Sequence, residues 1–234
     1  MRVLVVGIDG AIGGALATAL RARGHRVVGT SRRKPNKTDD ILLLDLAEPM
    51  KSPVADVNVA IICAAMARFE DCRRYPDLAE RVNVAAPAAI AAAVIAAGGR
   101  VILLSTSAVF DCLSPRRRGN EPVSPRSAYG RLKARAEESV LRLGENASVF
   151  RLTKVVQPGS GVLFNWIDSL RRGEEIKAFS DHSLCPLPLD IVVSMLVAVV
   201  EGGEGGIYQV SGADDLTYAE AAGLLAEVVG ATSN

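Results

Sequence analysis

The segment Ser127-Ala128-Tyr129-Gly130-Arg131-Leu132-Lys133 places a phenol and an ammonium four residues apart. On a helix this spacing sets both on one face, about one turn from each other. An ammonium near a phenol favours the phenolate, so the pair predicts a Tyr129 pKa drawn down from its usual ~10 towards working pH. Such a tyrosine exchanges a proton with a carbonyl or hydroxyl oxygen. The same spacing arises by chance on amphipathic helices, so its weight comes from what precedes it. Ser105-Thr106-Ser107 ends an apolar run, where a hydroxyl could bond a substrate oxygen, and a glycine loop lies near the start of the chain.

That loop, Gly7-Ile8-Asp9-Gly10-Ala11-Ile12-Gly13, follows the apolar run Val3-Leu4-Val5-Val6 and opens a helical stretch. Glycines let a backbone turn tightly against a pyrophosphate, and a helix N-terminus offers free N–H groups and partial positive charge. Gly7, Asp9, Gly10, Ala11, Ile12 and Gly13 are therefore candidate dinucleotide contacts. Cofactor choice rests on the next strand, Arg26-Val27-Val28-Gly29, which runs into Thr30-Ser31-Arg32-Arg33-Lys34 with no acid until Asp39. NAD sites usually present a carboxylate to the ribose diol there. Ser31, Arg32 and Arg33 instead suit a 2′-phosphate through bidentate hydrogen bonding, so NADP is favoured over NAD. Asp45 ends a third apolar run, where a carboxylate can meet an adenine amino group or cap a turn.

Elements that position these residues follow from the apolar pattern. Strands are expected at Val3–Val6, Arg26–Gly29, Ile41–Asp45, Val57–Ile62, Val101–Leu104 and Ser148–Leu152. Helices are expected from Ala15 to Arg23, from Leu78 to Ala97 with a kink or broken start at Pro87, and around Tyr129. Strands alternating with helices predict an α/β fold, a doubly wound parallel sheet of Rossmann type. Ser114 to Pro125 reads as a polar loop whose Arg116-Arg117-Arg118 is a solvated, mobile run. After Lys154 come shorter pieces: helical at 162–172, extended at 176–179, helical at 191–200, extended at 207–210 and helical at 218–229. They predict a small irregular lobe, giving a dinucleotide-binding domain over 1–155 and an intertwined substrate lobe over 156–234.

The 234 residues are 49% hydrophobic and carry a net charge of +1 without segregation of sign. That balance argues against nucleic acid or a membrane surface as the main partner. Cys63, Cys72, Cys112 and Cys185 show no metal-ligand spacing with His25 or His182, so no metal site is expected and the thiols should be reduced. The apolar stretch from Val84 to Ala97 is too short to span a bilayer. A cytoplasmic protein is expected, with a homodimer left open.

In combination these residues resemble the short-chain dehydrogenase/reductase superfamily, in its extended branch. The motifs are GxxGxxG at Gly7, Gly10 and Gly13, a strand-end hydroxyl at Thr106, and YxxxK at Tyr129 and Lys133. Ala64-Ala65, Val82-Asn83, Glu121, Pro125 and Arg151 fall in order around them. Leu104-Ser105-Thr106-Ser107-Ala108-Val109-Phe110-Asp111 is similar to the STDYVFDG stretch of the dTDP-4-dehydrorhamnose reductase-like subgroup. The resemblance implies that Thr106, Tyr129 and Lys133 are catalytic, with Lys133 also bonding the nicotinamide ribose. It adds Leu46, Ala64, Ala65, Met66 and Asn83 to the cofactor contacts. It implies an NADP(H)-dependent oxidoreductase acting on a keto group of a sugar nucleotide or similar polyol. Ser107-Ala108 replaces the subgroup's Asp-Tyr, and Lys154 stands where it has a sugar-contacting tryptophan. The first change removes the acid and base that extended-branch dehydratases use; both leave the sugar open. An NAD-retaining epimerase and a non-enzymatic cofactor-sensing or partner-binding protein are the alternatives.

Overall fold

The computed structural model describes residues 1–33, 40–48 and 56–231. Lys34 and Asp39, at the end of the basic stretch, lie outside the described residues. In chain order the first elements are β1 (Arg2–Val6), α1 (Ala11–Ala22), β2 (Arg26–Ser31), β3 (Ile41–Leu43) and β4 (Val59–Ile62). Then come α2 (Phe69–Arg74), α3 (Pro76–Glu80), a π-helical turn (Arg81–Ala85), α4 (Ala86–Ala96) and β5 (Arg100–Thr106). A 3-10 turn (Ser107–Val109) leads towards α5 (Ala128–Leu141) and β6 (Ala147–Leu152). The remainder holds β7 (Lys154–Val156), α6 (Val162–Arg171), β8 (Ser183–Leu184), β9 (Pro186–Pro188) and α7 (Leu189–Gly202). It ends with β10 (Gly206–Val210), β11 (Leu216–Thr217) and α8 (Tyr218–Val229).

The main sheet has seven strands in the order β10-β6-β5-β4-β1-β2-β3. β1 pairs in parallel with β2 and β4, β2 with β3, and β4 with β5. The order runs outward from β1 in both directions, the doubly wound Rossmann arrangement. Both faces are covered, so Val3, Leu4, Val5 and Val6 are all essentially inaccessible, and the strands read as unbroken apolar runs. One face packs Leu4, Val6, Ile62 and Leu103 against Ile90 and Val94 of α4 and Ala136 and Val140 of α5.

Helix α1 begins four residues before the expected Ala15. Gly13 and Gly14 look like breakers in the sequence, yet both sit inside the helix. The alanine-rich helix is longer than the apolar run suggests: Pro76–Ala96 is 21 residues and holds an 18-residue window with a mean hydropathy of 1.5, long and apolar enough by length and composition to cross a membrane. Ala79, Ile90, Ala91 and Val94 on it are fully buried in the protein's own core. Its irregularity is a π turn rather than a broken start. Pro87 cannot donate to the Asn83 carbonyl one turn back, and the chain widens over Arg81–Ala85 just before it. Helix α2 was not expected, and 176–179 forms no strand.

The chain divides into two compact units, one of Met1–Arg151 with Val193–Gln209 and one of Leu152–Val192 with Val210–Asn234. Strand β10, expected in the smaller lobe, is hydrogen-bonded into the main sheet. In the first unit Arg100 donates to the carbonyls of Val200, at 2.7 Å, and Gly203. In the second, β7 pairs in parallel with β9 and β11 antiparallel with β8. Helix α6 packs on α8 through Trp166 and Tyr218, edge to face at 6.0 Å. Thr217 and Glu220 form a reciprocal capping box that starts α8.

Candidate active site

All residues singled out above as catalytic or cofactor-binding lie in the first unit. The glycine loop joins β1 to α1. Gly7 has φ +87°, a conformation that favours glycine, and its amide donates to Thr30 Oγ1 at 3.1 Å. A Cβ on Gly7 would stand 2.7 Å from that of Ala64, and one on Gly13 would stand 2.3 Å from the Gly7 carbonyl oxygen. The first turn of α1 therefore rests directly on the loop. Gly10 precedes the helix and no side chain caps it. First-turn amides have no intrahelical acceptor. An uncapped helix start walled by glycine backbone fits a pyrophosphate, as the sequence pattern requires.

At the end of β2, the Ser31 hydroxyl donates to Asp9 Oδ2 and accepts the Arg33 amide at 2.9 Å. Arg32 and Arg33 are exposed, whereas Ser31 is buried. Asp45 lies two residues beyond β3, and its Oδ1 accepts the Ala47 amide at 2.9 Å, so it caps a turn. Leu46 is buried in the core. The Ala64 amide donates to the Val6 carbonyl at 3.0 Å, and Ala65 is exposed. Met66 is held by a two-point amide clamp: its N–H donates to Asn83 Oδ1 at 2.9 Å, and Asn83 Nδ2 donates to its carbonyl at 3.0 Å. The π turn presents Asn83 inward, where it is buried.

The Thr106 hydroxyl oxygen accepts the Ala108 amide at 3.1 Å, which starts the 3-10 turn and leaves its O–H free to donate elsewhere. Tyr129 packs with Met66 and Ala128 onto Cys72, Ala79, Val84 and Leu132, its ring 5.6 Å from that of Phe69. Next to it, Gly130 lies on the turn after β5: a Cβ there would stand 2.1 Å from the Ala108 carbonyl oxygen. Gly130→Ala is expected to cost about 1–3 kcal/mol of stability through overpacking, read as a lower urea midpoint. Lys133 is buried, and its ammonium donates to the Leu104 carbonyl on β5 at 2.6 Å. Among the described residues no hydrogen bond joins Thr106, Tyr129 and Lys133 to one another.

Electrostatics correct one expectation. Tyr129 is not drawn towards neutrality; burial, then the Cys72 thiol, pushes its pKa up to about 12. Spacing predicts closeness to Lys133, but the lysine spends its charge on the Leu104 carbonyl. Burial also brings Lys133 down to about 8, against the pull of Glu137 and Cys63. At neutral pH the site thus holds a protonated phenol and a protonated amine.

Glu137 lies one further turn along the face of Tyr129 and Lys133 on α5. It accepts from Ser105 and from Arg151 Nη2, the latter at 2.7 Å, and each member of the Glu137–Arg151 pair is only 3% exposed. The four-residue repeat 129, 133, 137 was the available signal. Arg151 also donates to the Gly119 carbonyl at 3.0 Å and stacks 5.2 Å over Phe110. Arg117 is likewise not a solvated residue. It is half-buried, pairs with Asp111 at 3.2 Å and Glu121 at 2.8 Å, and lies over the Phe110 ring, because acids flank it on both sides of the loop.

A family model described as RmlD substrate binding domain matches residues 1–234. The chain is 29% identical to dTDP-4-dehydrorhamnose reductase of Mycolicibacterium smegmatis over 98% of its own length and 70% of that protein. It is 28% identical to methionine adenosyltransferase 2 subunit beta of Xenopus laevis, covering 97% of this chain and 71% of the other. The solved structure of MoeE5 in complex with UDP-glucose and NAD superposes with a TM-score of 0.83 at 26% identity, over 98% of this chain and 82% of that one.

Proposed function

The chain belongs to the RmlD substrate binding domain family, in the extended short-chain dehydrogenase/reductase group, and from that premise we propose that it is a reductase of a keto group on a sugar nucleotide, using NADP(H). The observation that carries this reading is the presence, in one compact unit, of an uncapped glycine cradle and a helix face that carries a partly buried Tyr129 and a buried Lys133. Gly7, Asp9, Gly10, Ala11, Ile12 and Gly13 would hold the pyrophosphate. Arg32 and Arg33 would take the 2′-phosphate beside Ser31, whose hydroxyl proton goes to Asp9, with Asp45 and Leu46 at the adenine. Ala64, Ala65, Met66 and Asn83 would line the path to the nicotinamide, and Tyr129 and Lys133 would meet its ribose. A bound reduced nicotinamide supplies the hydride.

The chain's own part is positioning and proton transfer. Thr106 donates its free O–H to the substrate oxygen. Tyr129, protonated well past neutrality, delivers the proton to that oxygen, which suits the reductive direction. Lys133 places positive charge beneath the site as negative charge develops. Ser107-Ala108, in the 3-10 turn, supplies no acid or base for dehydration. The similarity to the methionine adenosyltransferase 2 subunit favours a second reading, a cofactor-binding partner subunit without turnover. We place either activity in the cytoplasm.

The test mixes the purified protein with NADPH and a panel of nucleoside-diphosphate 4-keto sugars, following loss of reduced-nicotinamide absorbance. Oxidation that depends on both protein and sugar is the expected result. Tight cofactor binding with no oxidation across the panel would instead support the subunit reading.

A further inference from the structure

The nucleotide end of the cradle carries a charge that its basic residues do not explain. β1 and β2 are paired in parallel through Val6 and Thr30, so the chain beyond each strand emerges side by side. Asp9 comes from the glycine loop and Ser31 from the end of β2, and the buried Ser31 hydroxyl donates to Asp9 Oδ2. The same hydroxyl accepts the Arg33 amide at 2.9 Å. Its one proton is therefore committed to the carboxylate, and it has none left to offer a phosphate. A carboxylate is thus present at the end of the second strand after all, supplied by the loop rather than by the strand.

We propose that Asp9, held by Ser31, is the residue that sets how strongly this pocket distinguishes a 2′-phosphate from a free ribose 2′-hydroxyl. The inference rests on the cofactor reading above. A dianionic 2′-phosphate brought to Arg32 and Arg33 meets the negative charge of Asp9 at the same strand end, and the repulsion offsets part of the arginines' attraction. A 2′-hydroxyl meets no such penalty, and Asp9 retains acceptor capacity for it. Opposed charges of this kind give the native protein a narrow preference for NADPH over NADH. Asp9 is a specificity residue; removing its charge widens the preference, and removing Arg32 narrows it.

The experiment measures equilibrium dissociation constants of NADPH, NADH and 2′,5′-ADP by calorimetry for the native protein, Asp9→Asn, Asp9→Ala and Arg32→Ala. Asp9→Asn keeps the shape and an acceptor for Ser31, so the fold is expected to persist; Asp9→Ala removes the charge by a second route. The expected result is a NADPH-over-NADH preference increased about tenfold in both Asp9 variants, with 2′,5′-ADP tightening in parallel. Equal gains for NADPH and NADH would mean that Asp9 acts on the pyrophosphate, and unchanged ratios would mean that it acts on neither; both overturn the proposal. Failure of the native protein to bind any of the three ligands would instead overturn the cofactor reading itself, and this inference with it.

Discussion

Tyr129→Phe is expected to lower sugar-dependent NADPH oxidation by about 10²–10⁴-fold, the usual contribution of a positioned general acid. NADPH affinity should stay within roughly threefold, because the variant removes one polar atom and little binding surface. The ring itself remains, so its packing with Phe69, Met66 and Leu132 and the cluster around Cys72 should survive. The pH dependence carries a second signature. Tyr129 titrates at about 12, so it keeps its proton throughout the accessible range. Lys133 titrates at about 8 and is charged below that value. kcat/KM for reduction should therefore fall as pH rises through about 8, as the ammonium is lost while the acid remains in place. Lys133→Met should show a low rate without that limb. Unchanged turnover in Tyr129→Phe, or loss of turnover matched by loss of cofactor binding, would refute the assigned role.

Arg151→Met is expected to have the largest effect on stability. Arg151 and Glu137 are both 3% exposed and meet at 2.7 Å, bridging β6 and α5. Removing the guanidinium leaves Glu137 buried with a charge that only Ser105 and the nearby lysine moderate. Loss of one partner of a buried pair costs about 3–5 kcal/mol, whereas replacing both with apolar groups is often close to neutral. Equilibrium urea unfolding should thus show a large loss for Arg151→Met and partial recovery in Glu137→Met/Arg151→Met. A cost below about 1 kcal/mol for the single variant, or strict additivity in the pair, would show that the ion pair is not coupled as the geometry indicates.

The parts of this protein that are legible in sequence are those fixed by local pattern. Val3–Val6 and Val101–Leu104 are apolar on both faces because helices cover both, and the runs show it directly. Gly7, Gly10 and Gly13 announce a loop by spacing alone. Gly13 nonetheless misleads about the start of α1, because it is required by a close approach to the Gly7 carbonyl and not by a break in the helix. Tyr129 and Lys133 are correctly read as neighbours on one face, but spacing does not reveal burial, and burial decides both pKa values. A charged residue on a helix or loop ordinarily faces water, so Glu137 does not stand out and Arg117 reads as solvated; the partners of Glu137 come from β5 and β6, and those of Arg117 from its own loop. β10 was misplaced because its partner, β6, is more than fifty residues upstream.

That late strand has a consequence for the order in which the protein is made. The first unit leaves off at Arg151 and resumes only at Val193, after an excursion through the second unit. Until Val210 has left the ribosome, β6 is an open sheet edge, and until Val200 and then Gly203 have emerged, Arg100 lacks the carbonyls it binds. An unpaired edge is a template for association with other chains. Translation therefore leaves the first unit unfinished until residue 210 exists, and the whole excursion from Leu152 to Val192 is synthesised inside that interval of exposure.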